Sequence, residues 1–130
     1  MHHAANVYAR VAKTGQAPRE IEASVLLTAA SRLQAVSESW DAKQTELGEA
    51  LTYNRKVWTI LSTAVAEDSN PLPLPVKQNI ASLAIFIFNR TISVLAEPAP
   101  EKLKVLISIN REIAAGLRGN AAAGLTEQAA

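Results

Sequence analysis

Apolar residues recur along the chain at spacings of three and four, in segments set apart by proline and glycine. Ile21, Val25, Ala29, Leu33, Val36 and Trp40 fall on one face of a helix from about Pro18 to Trp40, because positions three and four apart stack above one another. Pro18 suits the first helical turn, where its missing N–H costs nothing. Glu20 and Glu22 follow it and complement the positive end of the helix dipole. A second segment, about Asp41 to Glu67, places Leu47, Leu51, Asn54, Trp58, Leu61 and Val65 at spacings of 4, 3, 4, 3 and 4. That is a heptad seam with an asparagine inside it. Gly48 is a soft spot near its start. Ser39-Trp40-Asp41, with Ser39 or Asp41 as N-cap, predicts two helices joined by a tight connection.

The third segment, about Pro75 to Ala96, is the most apolar. Ile80, Leu83, Ala84, Ile87, Phe88, Ile92, Val94 and Leu95 cover more than half its circumference, which predicts a central helix. The fourth runs from about Pro100 to Leu117, with Leu103, Leu106, Ile107, Ile109, Ile113, Ala114 and Leu117 on one side and Gly119 as its stop. Asn70-Pro71-Leu72-Pro73-Leu74-Pro75 and Pro98-Ala99-Pro100 punctuate the chain between helices. Alternating β-branched runs closed by Asn-Gly or Asp-Gly turns are missing. The expected fold is all-α: a small antiparallel bundle of about four helices over residues 18–118, with short links making antiparallel neighbours. Residues 1–17 read as a flexible or short-helical N-terminal segment, and residues 119–130 as a disordered or frayed tail.

Composition narrows the function classes. At 130 residues with 48% hydrophobic and 19% charged positions, the chain is one globular domain and too apolar for disorder. Its formal charge of +1 supplies no field that would draw it to nucleic acid or an anionic membrane. The longest nearly apolar run, Ile80 to Phe88, is short of a bilayer span, and the N-terminus has no export-signal pattern. With no cysteine, the cytoplasm is the simplest address. Catalytic inventory is poor. The two histidines are adjacent at the N-terminus, and no GxSxG, HExxH or phosphate-cradling glycine loop is present. The carboxylates fall on exposed faces or helix ends, where nothing tunes them for acid–base work. The expectation is a non-enzymatic protein without cofactor or metal.

Polar residues in apolar places are more informative. Asn54 lies among Leu47, Leu51, Trp58 and Leu61, and Asn110 lies between Leu103 and Leu117. Two readings stand for them: a buried amide that fixes helix register, or an amide lining a groove for an incoming helix. Phe86 shows the opposite anomaly, standing on the polar side with Asn79, Ser82 and Arg90, open to a partner or covered by the N-terminal segment. Tyr53 and Trp58 flank Arg55-Lys56, a combination enriched at interfaces but equally compatible with a core tryptophan and a solvated basic pair. Basic residues are otherwise scattered, which gives direct RNA binding little support.

The run Tyr53-Asn54-Arg55-Lys56-Val57-Trp58-Thr59-Ile60, then Asn70-Pro71-Leu72-Pro73 and Gln78-Asn79-Ile80-Ala81-Ser82-Leu83-Ala84-Ile85-Phe86, resembles the FlaF family of flagellin-biosynthesis regulators. Pro18-Arg19-Glu20-Ile21-Glu22-Ala23 and Leu106 to Leu117 look like the same family's opening and closing motifs. The resemblance implies a cytoplasmic, non-enzymatic protein that binds flagellin before export and acts with or against the translational regulator FlbT. It points to Tyr53, Asn54, Arg55, Trp58, Asn79, Phe86, Asn110 and Arg111 as binding positions. The alternative it leaves open is regulation of flagellin messenger RNA, directly or through FlbT. Small helical secretion chaperones are often acidic, whereas this chain has a pI near 8.1, so affinity for flagellin is expected from apolar burial.

Overall fold

The computed structural model describes residues 18–129, with side chains described through Gly119. Four long helices are joined by short links: α1 (Pro18–Glu38), a single turn α2 (Trp40–Lys43), α3 (Leu47–Ala66), α4 (Leu74–Ala96) and α5 (Leu103–Ala129). The expected all-α bundle is what the chain forms. The link between α1 and α3 is itself helical, α2 followed by a 3-10 turn at Gln44–Glu46, so α3 begins at Leu47 rather than Asp41. Ser39 precedes α2 without a side-chain cap, and its carbonyl instead accepts the amides of Ala42 and Lys43. The N-terminal segment 1–17 lies outside the described residues.

Long-range pairs fix the helix directions. Arg118, past the middle of α5, meets Glu20 at the start of α1. Arg32 stacks on Tyr53 of α3, and Ile21 and Val25 share a groove with Val57 and Ile60. Consecutive helices therefore run up and down, and α1 lies antiparallel to both α3 and α5. The most extensive packing is between α1 and α5. Ala23, Ala29 and Ala30 allow α5 to approach closely, while Leu26, Leu33 and Val36 fill the space between.

The expectation of a central third helix is corrected here. α4 packs chiefly on α3 and only slightly on α5, burying Ile80, Ala84, Ile87, Thr91 and Val94, with Val76, Leu83 and Phe88 half-buried against the core and Leu74, Ile85, Ile92 and Leu95 outside. α1 is the central helix. An apolar wheel shows how much surface a helix wants covered, not how much its neighbours cover. The predicted end at Gly119 differs too: α5 continues to Ala129, because Gly119 does not take the left-handed conformation of a C-terminal stop and the alanines that follow are strong helix formers.

Two polar nodes pin the bundle ends. Arg19 is buried with Glu22 in an ion pair and also donates to Asn70 Oδ1 at 3.3 Å. Asn70 receives Leu72 N–H at 3.0 Å and donates to Ala64 C=O at 3.1 Å, so one asparagine shapes the proline-rich α3–α4 link. Lys102 Nζ donates to the carbonyls of Glu97 (2.8 Å) and Ser93 (3.3 Å), satisfying the C-terminal end of α4. On the surface, Arg118 grips both carboxylate oxygens of Glu20 at 2.9 and 2.7 Å. That hydrogen bonding holds the Glu20 carboxyl below its ordinary value.

Candidate protein-binding surface

Along α4, Leu74, Gln78, Ala81, Ile85, Phe88, Ile92 and Leu95 follow one another at spacings of 4, 3, 4, 3, 4 and 3. This is a heptad seam with one polar position, Gln78. It lies roughly 120° around the helix from the buried line of Ile80, Ala84 and Ile87, at about 100° per residue. Phe88 is half-buried against the core, but no described element covers the other large side chains: Leu74 is 64% exposed, Ile85 64%, Ile92 65% and Leu95 57%. Ile92 and Leu95, expected in the core, are thus on the surface, and Ile85, singled out by no sequence argument, stands at the seam's centre. Monomeric proteins rarely leave so many large hydrophobes contiguous and uncovered.

Three of the sequence-predicted positions border this face. Ser62 of α3 and Gln78 of α4 line the same groove. In an antiparallel pair Arg55, two turns before Ser62, comes level with Ile85, two turns after Gln78, and its side chain is exposed. On the other side of the seam Phe86 is 37% exposed with the Arg90 guanidinium 5.4 Å from its ring centroid, a cation–π stack. Asn79, two turns earlier, is exposed on the same edge.

The other predicted positions lie elsewhere. Asn54, Trp58 and Asn110 are wholly buried. Trp58 Nε1 donates to Asn110 Oδ1 at 2.8 Å, while Asn110 Nδ2 donates to Asn54 Oδ1 at 2.6 Å and to the Leu26 carbonyl at 3.3 Å. One amide on α5 thus ties together α1 and α3. Of the two readings open for these asparagines, the structure places them in internal bonds, and the interface expectation for all three is corrected: packing on every side leaves no approach for a partner. Tyr53 is half-buried under Arg32, 4.2 Å from its ring centroid. Arg111 lies on the opposite flank, in a groove with Gln34 and Ser37. Neither adjoins the α4 face.

A broad groove of about 670 Å³ is also remote from α4. Its walls from α1, α3 and α5 mix Ser24, Thr28, Ser31 and Ala50 with Arg32, Glu49 and Arg118. It is broad and open, without the apolar continuity of the seam. α4 is also the one described helix long and apolar enough to cross a bilayer, with mean hydropathy 1.5 over an 18-residue stretch that is 28% buried. Length and composition are the whole of that signal. Lys77 and Arg90 interrupt the helix, and its inner line is committed to the bundle.

Residues 4–117 match the model of a protein family described as flagellar protein FlaF. No curated protein and no solved structure gives a significant match.

Proposed function

The chain belongs to the FlaF family of flagellar proteins, and on that premise we propose that it binds flagellin in the cytoplasm, covering an amphipathic segment of the monomer before export and so regulating flagellin production. The observation that carries this reading is the uncovered seam of α4, with Leu74, Ile85, Ile92 and Leu95 all more than half exposed. Flagellin's terminal regions are amphipathic and pack fully only in the filament, so a monomer awaiting export has apolar stripes of matching periodicity. A helix laid along α4 buries both surfaces at once. Each of the four side chains contributes about 1–2 kcal/mol when covered, enough to offset the ordering cost of a helical segment and leave a reversible complex.

This activity requires no reaction and no cofactor. FlbT is a second partner the reading admits, coupling the amount of free flagellin to its translation. The exposed cations Arg55 and Arg111 stand on different flanks of the bundle, so no observation favours the messenger-RNA reading. The test is co-purification of flagellin with the full chain at high salt. Binding held by apolar burial persists there and is lost in Ile85→Asp. A complex that dissolves in moderate salt, or one indifferent to Ile85→Asp, overturns the assignment to α4.

A further inference from the structure

The α4 seam is complementary to itself, and from this we infer that two copies of the chain pair through it as an antiparallel, two-fold dimer. Let the axis pass midway between Ile85 and Phe88. Ile85 then packs on Phe88 of the partner subunit, and Ala81 faces Ile92 of the partner subunit, small against large, which lets the two helices close without a void. Both contacts occur twice, as an isologous interface requires.

The borders of the seam suit the same occupant. Ser82, Asn89 and Ala96 line the outer edge and are uncharged, while on the other side Ala84 and Thr91 are buried in the bundle and the border is formed by Lys77 and by Arg55 of α3. A helix with charged flanks finds little on α4 to pair with, whereas a second α4 brings no like charges face to face across the seam. In this register each Lys77 comes level with Ala96 of the partner subunit, one residue short of Glu97 of the partner subunit, which follows the end of α4. The Glu97 side chain is 89% exposed, held only by a long contact to Lys102 at 3.9 Å, and is free to turn toward it. Arg90 is occupied on its own Phe86, and Arg55 stands on α3 beside the seam rather than in it.

In this register the paired span runs from Gln78, which faces Leu95 of the partner subunit, to Leu95, about 26 Å of helix at about 1.5 Å per residue; Leu74 lies beyond it, because α4 ends at Ala96. A contact of one helix on another over that length sits at the small end of specific interfaces, which fits a reversible dimer formed at micromolar concentrations. Such a dimer shields the seam whenever nothing else occupies it.

Sedimentation equilibrium of the full chain over roughly 1–200 µM, a range set by the micromolar affinity expected for a small interface, tests the pairing. The mass should rise from 13.9 kDa toward twice that value, and Ile92→Asp, at a position 65% exposed, should hold it at the lower figure with an unchanged thermal melt. Because the chain lacks cysteine, register can be read directly: Ala81→Cys mixed with Ile92→Cys should form a disulfide-linked pair under mild oxidation, while neither variant links to itself. A monomer throughout the range, a dimer untouched by Ile92→Asp, or self-linking of either single variant overturns the proposal. Flagellin is absent from these experiments, so their failure is separable from failure of the flagellin reading.

Discussion

Asn110→Ala should be the most damaging single change to a polar residue in the bundle. The substitution removes an acceptor from Trp58 Nε1–H and a donor from Asn54 Oδ1, both wholly buried. Leu26 C=O loses only a long additional donor. Orphaning a buried polar group costs about 1–3 kcal/mol, so two orphans place the loss near 4 kcal/mol. Against the ~5–15 kcal/mol typical of a domain, that is a large fraction. At about 4 °C per kcal/mol for a chain of this size, the melting temperature should fall by about 15 °C. Urea unfolding followed by far-ultraviolet circular dichroism reads the free energy directly, with Asn54→Leu as the matched control. Asn54 Nδ2 has no partner among the described residues, and Asn110 keeps its bond to Leu26 when Asn54 Oδ1 is gone, so this variant should stay within about 1 kcal/mol of the parent. A cost below about 1 kcal/mol for Asn110→Ala, against the penalty for orphaned buried groups, would refute the hub role of the amide. Equal large losses in both variants would refute the asymmetry between the two asparagines.

Further outcomes follow from other nodes of the fold. Asn70→Ala removes the side chain that joins Ala64, Leu72 and Arg19 and should cost about 1–3 kcal/mol in urea unfolding, with amide exchange in the α3–α4 link accelerating before that of the core. Glu20 carries a carboxyl whose folded value is depressed by Arg118. Its contribution to stability is therefore present above the unfolded value and is lost as pH falls through the folded one. Carboxyl NMR titration should show Glu20 below its ordinary value in the parent and back at that value in Arg118→Gln; an unchanged midpoint would sink the pairing. Phe86→Asp places a carboxylate under Arg90 at a third-exposed site and should shift the thermal midpoint by only a few degrees, whereas cooperative unfolding would mean that the ring is core.

The helices were legible in the sequence because each repeats at three and four with proline or glycine between segments, and Asn54 and Asn110 were legible as interior because they occupy seam positions. What those amides bind was not, since a wheel gives a residue's direction but not the identity of what it meets across the bundle. Glu22 escaped notice for a related reason: a first-turn carboxylate has an ordinary explanation in the helix dipole, and its burial with Arg19 depends on Asn70 in the distant proline-rich link, which no local pattern relates to α1. The open face of α4 was hidden most deeply. α4 carries two apolar lines, Ile80-Ala84-Ile87 and Ala81-Ile85-Ile92, and composition merges them into one broad hydrophobic arc. Only the placement of α3 and α5 decides which line is covered: α3 packs along one side of α4 and α5 only touches it, which leaves the second line open.

The central claim is that this open line on α4 holds a flagellin helix. Calorimetric titration of monomeric flagellin, intact and lacking each terminal region in turn, into the parent chain and into Ile85→Asp tests it most directly. The account predicts binding with a negative heat-capacity change, the mark of apolar burial, lost with one of the two truncations and lost in Ile85→Asp. Binding of full strength to Ile85→Asp, or no binding of intact flagellin to the parent, would contradict it.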